Sequence, residues 1–476
     1  MKQINIADMM RSTGVAFGTS GARGLVAQMS PEVCYAYAAA FWSAVGTGGR
    51  AVIGHDLRPS SPAMAAACAA ALADLGVEVV YAGALPTPAL AAFGRTLGAP
   101  VLVVTGSHIP FDRNGLKFYS AGGEISKADE QAMLQAVVRV PDPVVPASLP
   151  APAPQAETAY LERYTGFFGR DSLRGMRVAV YEHSSAGRDV LRAILAALGA
   201  EVLALGRTDT FVPIDTEAVG ADDVARGRQW AAEHRFDAIL STDGDADRPL
   251  IGDETGAWFR GDLVGVLCAR FLHADVVVTP VSSNTAVEKC GAFGQVLRTR
   301  IGSPYVIAGM EQAQTGQGGV VAGYEANGGF LLGSDICRDG KRLAALPTRD
   351  AVLPMLALLT MARERGCRLS ELARGLPARF TYSDRLQEFP TSASVALVAA
   401  LQADRDAMAA VMAPGAGAVT EIDTTDGLRV TFAGGDIVHL RPSGNAPELR
   451  CYAEAADAAT AQRLCQECLA RVLAQA

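Results

Sequence analysis

DAILSTDGDADRP, residues 237–249, is the stretch on which the fold of this chain turns. Asp237–Leu240 is a short apolar run of the kind that becomes a buried strand. Directly after it, three carboxylates alternate within five residues: Asp243, Asp245 and Asp247. In a loop, that spacing can turn all three towards one point, where their repulsion calls for a cation. A hard divalent ion with oxygen ligands, Mg²⁺ first, is the natural partner. A solvated acidic turn is the plain alternative. Against it stand the apolar run before the loop and Arg248, a phosphate-type donor, at its end. A calcium-binding EF-hand would place Glu254 at its twelfth position, but Arg248 falls at the sixth, where the turn needs glycine.

Outward from this stretch, the same strand-then-polar-loop pattern occurs twice more. On the N-terminal side, Ala51–Gly54, Val77–Tyr81 and Val101–Val104 read as buried strands, with an Ala-rich helical stretch at Ala63–Leu75. The last of these strands runs into TGSHIPFDRNG, residues 105–115. In the middle, Met176–Tyr181, a helical Asp189–Leu198 and Glu201–Leu205 lead up to Asp237–Leu240. On the C-terminal side, Asp275–Thr279, Phe293–Leu297 and Gly319–Ala322 lead into GYEANGG, residues 323–329. Strand–helix–strand alternation implies parallel βαβ units. Ligand sites in such sheets lie beyond the carboxyl ends of the strands, so the three loops are expected to converge on one cleft.

The remainder, from about Pro377, has a different pattern. An amphipathic helix is expected near Ser392–Ala413, then strands at Leu428–Phe432 and Asp436–Leu440. The loop RPSGNAPELR follows at 441–450, and a last helix is capped by Asp457. This reads as a small α+β domain. The proline-rich 141–157, PDPVVPASLPAPAPQAE, reads as a linker without regular helix. The expected domains are 1–145, 158–256, 257–370 and 376–476.

Composition narrows the function classes. A formal net charge of −8 over 476 residues argues against a general nucleic-acid binder. No apolar stretch is long enough for a transmembrane helix, and MKQINIADMMRSTG lacks the apolar core of a secretory signal. Nine dispersed cysteines read as reduced thiols, so a cytoplasmic location is expected. Cys465 and Cys468 form a C-x-x-C in an Ala/Leu-rich helical pattern with no second ligand pair nearby, which reads as core.

The other loops carry compatible chemistry, although each alone also reads as an ordinary turn. Ser107 is a weak nucleophile by itself, but a phosphoserine there would carry nearly two negative charges. Its neighbours His108 and Lys117 offer a ring nitrogen and an ammonium. Arg441, Ser443, Gly444 and Asn445 suit an anion-binding nest. Glu325 and Asn327 suit sugar hydroxyls. Arg23, in the glycine-rich GTSGARG at 18–24, suits phosphate contact.

In this order the loops resemble the α-D-phosphohexomutase family, nearest its bacterial phosphomannomutase/phosphoglucomutase type. The resemblance runs from Phe17 to about Arg450. It implies three consecutive related α/β domains with mixed, mostly parallel sheets, and a C-terminal α+β domain of the TATA-binding-protein-like type, around a central cleft. It implies that Ser107 is phosphorylated and completes a Mg²⁺ site with Asp243, Asp245 and Asp247. Arg23, His108, Lys117 and Arg248 would serve catalysis. Glu325 and Asn327 would read the sugar, and Arg441, Ser443, Gly444 and Asn445 would hold the distal phosphate. The implied reaction interconverts hexose 6-phosphate and hexose 1-phosphate, mannose first, through a hexose 1,6-bisphosphate that also acts as activator. The implied partners are small sugar phosphates, with no nucleic acid and no membrane, in a monomer or dimer. A phosphoglucomutase or dual-specificity enzyme, a non-catalytic sugar-phosphate-binding protein and a metal-dependent phosphatase are the alternatives. The chain departs from the family pattern at Gly329 and Ser303, positions where relatives often carry pocket histidines, and its YEANGG replaces the more usual sugar loop.

Overall fold

The computed structural model describes residues 1–18, 20–316, 319–443 and 447–475. Three of its sheets repeat one plan. In the first, Glu78–Ala84, Arg50–His55 and Val101–Val104 are parallel neighbours, and Arg113–Ser120 lies antiparallel beside the last. In the second, Glu201–Leu205, Arg177–Tyr181 and Ala238–Thr242 are followed by antiparallel Pro249–Gly252. In the third, Gln295–Thr299, Val276–Pro280 and Val321–Tyr324 are followed by antiparallel Phe330–Leu332, with Leu346–Asp350 beyond it. The third and fourth strands of each unit therefore flank the loop singled out in the sequence. The registers closing these loops are Val104↔Leu116, Thr242↔Pro249 and Tyr324↔Phe330.

The parallel strands are apolar on both faces because helices cover both faces. One hydrophobic core runs through all three units. It joins Val103 of the first sheet, Leu240 of the second and Phe330 of the third through helices such as Thr87–Leu97, Gly261–Phe271 and Val352–Arg365. The helix Pro154–Phe168 packs into the same core through Tyr160 and Tyr164, whose hydroxyls both donate to Asp350. The linker reading of 141–157 is thereby corrected at its end. Pro154 opens a helix, because a proline at a first helical position removes no intrahelical hydrogen bond.

The last unit is one antiparallel sheet in the order Phe380–Leu386, Leu449–Ala455, Ile437–Pro442, Leu428–Phe432, Val419–Asp423. The long helix expected at 392–413 is two helices, Thr391–Ala403 and Arg405–Met412. Asp404 interrupts it, because its carboxylate accepts from the amides of Asp406 and Ala407 and so caps a new start. Asp457 accepts from the Thr460 amide and caps the final helix, Ala458–Gln475. This unit has its own core, built on Met408, Val430, Leu440 and Leu464. Cys465 and Cys468 are buried in it, and all nine cysteines are free. No helix among the described residues is long and apolar enough to cross a membrane.

Candidate active site

The two chemical loops of the first and second units meet directly. Ser107 Oγ donates to Asp243 Oδ2 at 2.6 Å, across 136 residues of chain. A side chain on Gly244 would reach to 2.8 Å from the Ser107 carbonyl, so this approach needs glycine. Ser107 itself is held at φ 54 and Ala246 at φ 55, left-handed conformations that cost a non-glycine residue about 1 kcal/mol or more each.

The Ser107 loop is held in that shape by a buried residue that the sequence reading did not single out. Arg58 donates to the carbonyls of Ser107 (2.9 Å), Ile109 (2.6 Å), Pro110 (2.7 Å) and Arg113 (3.0 Å). Asp56 orients it through Nε and also accepts from Thr105 Oγ1 and the Gly106 amide. The Arg58 guanidinium lies 3.9 Å from the Phe211 ring centroid, which ties the loop to the second unit.

The three aspartates are fully buried and bring one carboxylate oxygen each within 4.8 Å of the others. Their electrostatics diverge. Burial, then Asp245 and Asp247, pushes Asp243 up to about 8. Asp247 stays below the ordinary carboxylate range despite its burial, because Arg349, Lys117 and Arg248 outweigh it. Lys117 Nζ lies 2.6 Å from both Asp245 Oδ2 and Asp247 Oδ2 and stands as a counter-charge between them. Thr87 Oγ1 donates to the same Asp245 oxygen. The other oxygens, Oδ1 of Asp245 and Oδ1 of Asp247, are buried and have no hydrogen-bond partner. Buried carboxylate oxygens without donors, clustered with a third carboxylate and a serine oxygen, are a donor set that fits Mg²⁺. Glu254, the rival ligand, is turned away to accept from Ser370.

The cationic side of the site comes from several elements. Arg248 Nη1 donates to His108 Nδ1 at 2.7 Å. Burial, then Arg248, Arg23 and Arg450, keeps the His108 imidazole well below its usual pKa, so it is neutral. Arg23 is half-buried and has no hydrogen-bond or ion-pair partner among the described residues. Burial and then Arg248 bring its pKa down to about 10. A guanidinium with no hydrogen-bonded carboxylate among the described residues has the donors to suit an anion.

The Glu325 loop of the third unit lies against the same centre. Arg349 donates from Nε and Nη2 to Asp247 Oδ2 at 3.0 and 2.9 Å and from Nη1 to Glu325 Oε2 at 3.2 Å. Asn327 Oδ1 accepts from the Gly329 amide, and the Asn327 carbonyl accepts from Thr216 Oγ1 of the second unit. Ser303 is completely buried and also bonds to Arg349.

A cavity of about 300 Å³ lies where the second and third units meet the last, lined by Asp215, Glu217, Arg260, Asp384, Arg385 and Arg450 among others. Arg450, on the last sheet, pairs with Glu448 at 3.4 Å. Arg441 is engaged by Asp426 at 2.9 Å, and the Ser443 amide donates to the Glu448 carbonyl. Gly444 and Asn445 lie outside the described residues. Neither Arg349 nor the trio Arg260, Arg385 and Arg450 was singled out in the sequence: Arg349, Arg260 and Arg385 stand in stretches with no loop signature, and Arg450 closes the 441–450 loop on a strand, beyond its Pro/Gly turn.

Comparison with known proteins agrees with this geometry. Family models of phosphoglucomutase/phosphomannomutase match residues 14–141 (alpha/beta/alpha domain I), 260–380 (alpha/beta/alpha domain III) and 389–471 (C-terminal domain). The chain belongs to the phosphoglucomutase/phosphomannomutase family. It is 47% identical to a phosphomannomutase of Salmonella muenchen over 96% of this chain and 95% of that one. It is 45% identical to a phosphomannomutase of Sinorhizobium fredii over 96% and 98% of the two chains. Among solved structures, a phosphoglucomutase/phosphomannomutase family protein from Burkholderia thailandensis superposes with a TM-score of 0.73 at 23% identity, covering 98% of both chains. That likeness concerns the fold.

Proposed function

We propose that this protein is a phosphohexomutase that interconverts mannose 6-phosphate and mannose 1-phosphate through a phosphorylated Ser107. The observation that carries the reading is the 2.6 Å contact between Ser107 Oγ and Asp243, with Arg248 Nε 3.9 Å from the same Asp243 oxygen. The two relatives above 40% identity, both phosphomannomutases, support mannose as the preferred hexose.

In the first half-reaction the bond from phosphorus to Ser107 Oγ breaks as a bond to the free sugar hydroxyl forms, giving a hexose 1,6-bisphosphate. The bisphosphate turns over in the cleft, and its other phosphoryl group returns to Ser107. Such transfers need alignment and charge stabilisation more than covalent help. Arg23 and Arg248 stand beside Ser107 as donors to the transferring phosphoryl oxygens. The neutral His108, bonded through Nδ1, fixes Arg248. Arg450, Arg260 and Arg385, with the loop that starts at Arg441 and Ser443, are our candidates to grip the phosphate that is not reacting. Glu325 and Asn327 face the sugar hydroxyls. Mg²⁺ would be held by Asp243, Asp245, Asp247 and an oxygen on Ser107, and when bound supplies positive charge against the carboxylates and the phosphoryl group. Lys117 is our candidate to receive the proton of the attacking hydroxyl, which requires it first to leave its pair with Asp245 and Asp247 and release a proton to solvent, because only the neutral amine can accept one.

The deciding experiment is a coupled assay of purified protein on mannose, glucose and glucosamine 1-phosphates, supplemented with Mg²⁺ and glucose 1,6-bisphosphate. Mannose 1-phosphate should have the highest kcat/KM. Ser107→Ala should lower it by roughly three orders of magnitude or more, with the phosphoryl mass lost from the intact protein. Net phosphate release without isomer would instead make this a phosphatase. Binding without turnover would make it a sugar-phosphate-binding protein.

A further inference from the structure

Arg349 is buried on the strand Leu346–Asp350, well away in sequence from every loop named above, yet it touches two of them. Its Nε and Nη2 bind one oxygen of Asp247 in the second unit, and its Nη1 binds Glu325 of the third. The same Nη1 donates at 2.8 Å to Ser303 Oγ, which in turn donates to Glu124 of the first unit at 3.0 Å. Glu124 also accepts from Ser20 at 2.5 Å, three residues before Arg23. One guanidinium is therefore the node of a buried network that reaches loops of all three α/β units.

The space it occupies is specific. A side chain begun at Gly329 would come within 2.6 Å of Arg349 Cδ and 2.8 Å of Cγ. Gly329 has no left-handed φ, so its backbone does not need glycine; the room taken by Arg349 does. Glu325 is the only carboxylate on the sugar loop, and Arg349 and the loop's own turn, closed by the Glu325 amide donating to the Gly329 carbonyl, hold it in place.

We infer that Arg349 is a positioning and specificity-determining residue: together with Gly329 it forms the floor of the sugar subsite and aims Glu325 at the hexose hydroxyls. The inference rests on the mutase reading for its substrate class. It does not rest on that reading for the binding step, because aiming Glu325 matters to affinity before any bond is broken. Arg349 lies under the sugar subsite and acts through Glu325. Loss of the Nη1 contact to Glu325 should therefore appear mainly in KM, whereas loss of the fork to Asp247 would also reach kcat through the carboxylate loop.

The test uses Arg349→Met, Arg349→Lys, Gly329→Ala and the double variant Gly329→Ala/Arg349→Met in the full chain. Arg349→Met strands two buried carboxylates and can fail to fold. Gly329→Ala keeps every charge; its methyl displaces the arginine stem and comes within 3.1 Å of Asn327 Oδ1. Expected are a ten-fold or greater rise in KM for mannose 1-phosphate in Gly329→Ala and in any folded Arg349 variant, with kcat falling under three-fold in Gly329→Ala and further in the Arg349 variants, which also lose the contact with Asp247. Discrimination between mannose and glucose 1-phosphates should change as well. The double variant should be no worse than the poorer single, because both act on one contact. Lysine keeps the charge without the planar fork and should recover only part of the affinity. Calorimetric titration with mannose 1-phosphate gives the same comparison if the wild type binds without turnover, an outcome that would remove the mutase reading and leave this one standing. Unchanged KM and affinity in Gly329→Ala, additive losses in the double variant, or no hexose phosphate binding by the wild type would each overturn the inference.

Discussion

At the scale of single residues, charge placement governs the site. Oδ2 of Asp247 is taken by Lys117 and Arg349, and Oδ2 of Asp245 by Lys117 and Thr87, which leaves the Oδ1 atoms without donors. Asp245→Asn replaces one of those bare oxygens and removes a charge. It should raise the Mg²⁺ concentration for half-maximal activity roughly ten-fold or more, as losses around a metal site commonly do. An unshifted Mg²⁺ titration would remove Asp245 from the ligand set. The triplet itself was legible in the sequence, because alternating carboxylates in a short loop have few other uses. Arg58 and Arg349 were not, since nothing local distinguishes a buried arginine from a solvated one. Their roles arise from carbonyls and carboxylates that other segments bring to them.

At the scale of elements, two histidines fix strand-end turns. His183 Nε2 donates to the Thr242 carbonyl and His439 Nε2 to the Asp426 carbonyl. The Nδ1 of each is buried without a partner. Burial brings both down to about 4 from an ordinary 6.5. A base depressed in this way stabilises the fold while it is neutral, above about 6.5, and that contribution is lost as pH falls from about 6.5 towards 4. The melting temperature should decline over that interval, and His439→Gln should flatten the decline. A variant with the wild-type pH profile would show that His439 does not contribute. The strand–loop–strand plan was readable because its apolar runs repeat. The break at Asp404 was missed, because the apolar spacing continues across it and only the capped amides reveal the new start.

At the scale of the molecule, the three α/β units share one core and the last unit has its own. What joins that unit to the third is largely polar. Asp426 accepts from the Ile301 amide, Glu454 accepts from the Thr285 amide, Asn284 donates to the Arg379 carbonyl, and Thr381 donates to Asp262. Polar interfaces of this kind permit relative motion, and closing on a sugar phosphate would complete the cleft. Sugar phosphate binding should therefore reduce the radius of gyration measured by solution scattering. Asp426→Ala, which removes a charge-assisted bond worth on the order of 1.5–3 kcal/mol, should enlarge the free form. Identical scattering with and without ligand, in both proteins, would rule out the swing. By itself the sequence determined the three repeated units, the chemical loops at their strand ends and the identity of the metal-fitting carboxylates, because these are written in local spacing. Only the tertiary structure decided that Ser107 meets Asp243, that Arg349 joins the aspartate loop to the Glu325 loop and that Arg260, Arg385 and Arg450 line one cavity. Each of those pairings spans tens to hundreds of residues and exists only once the shared core has packed.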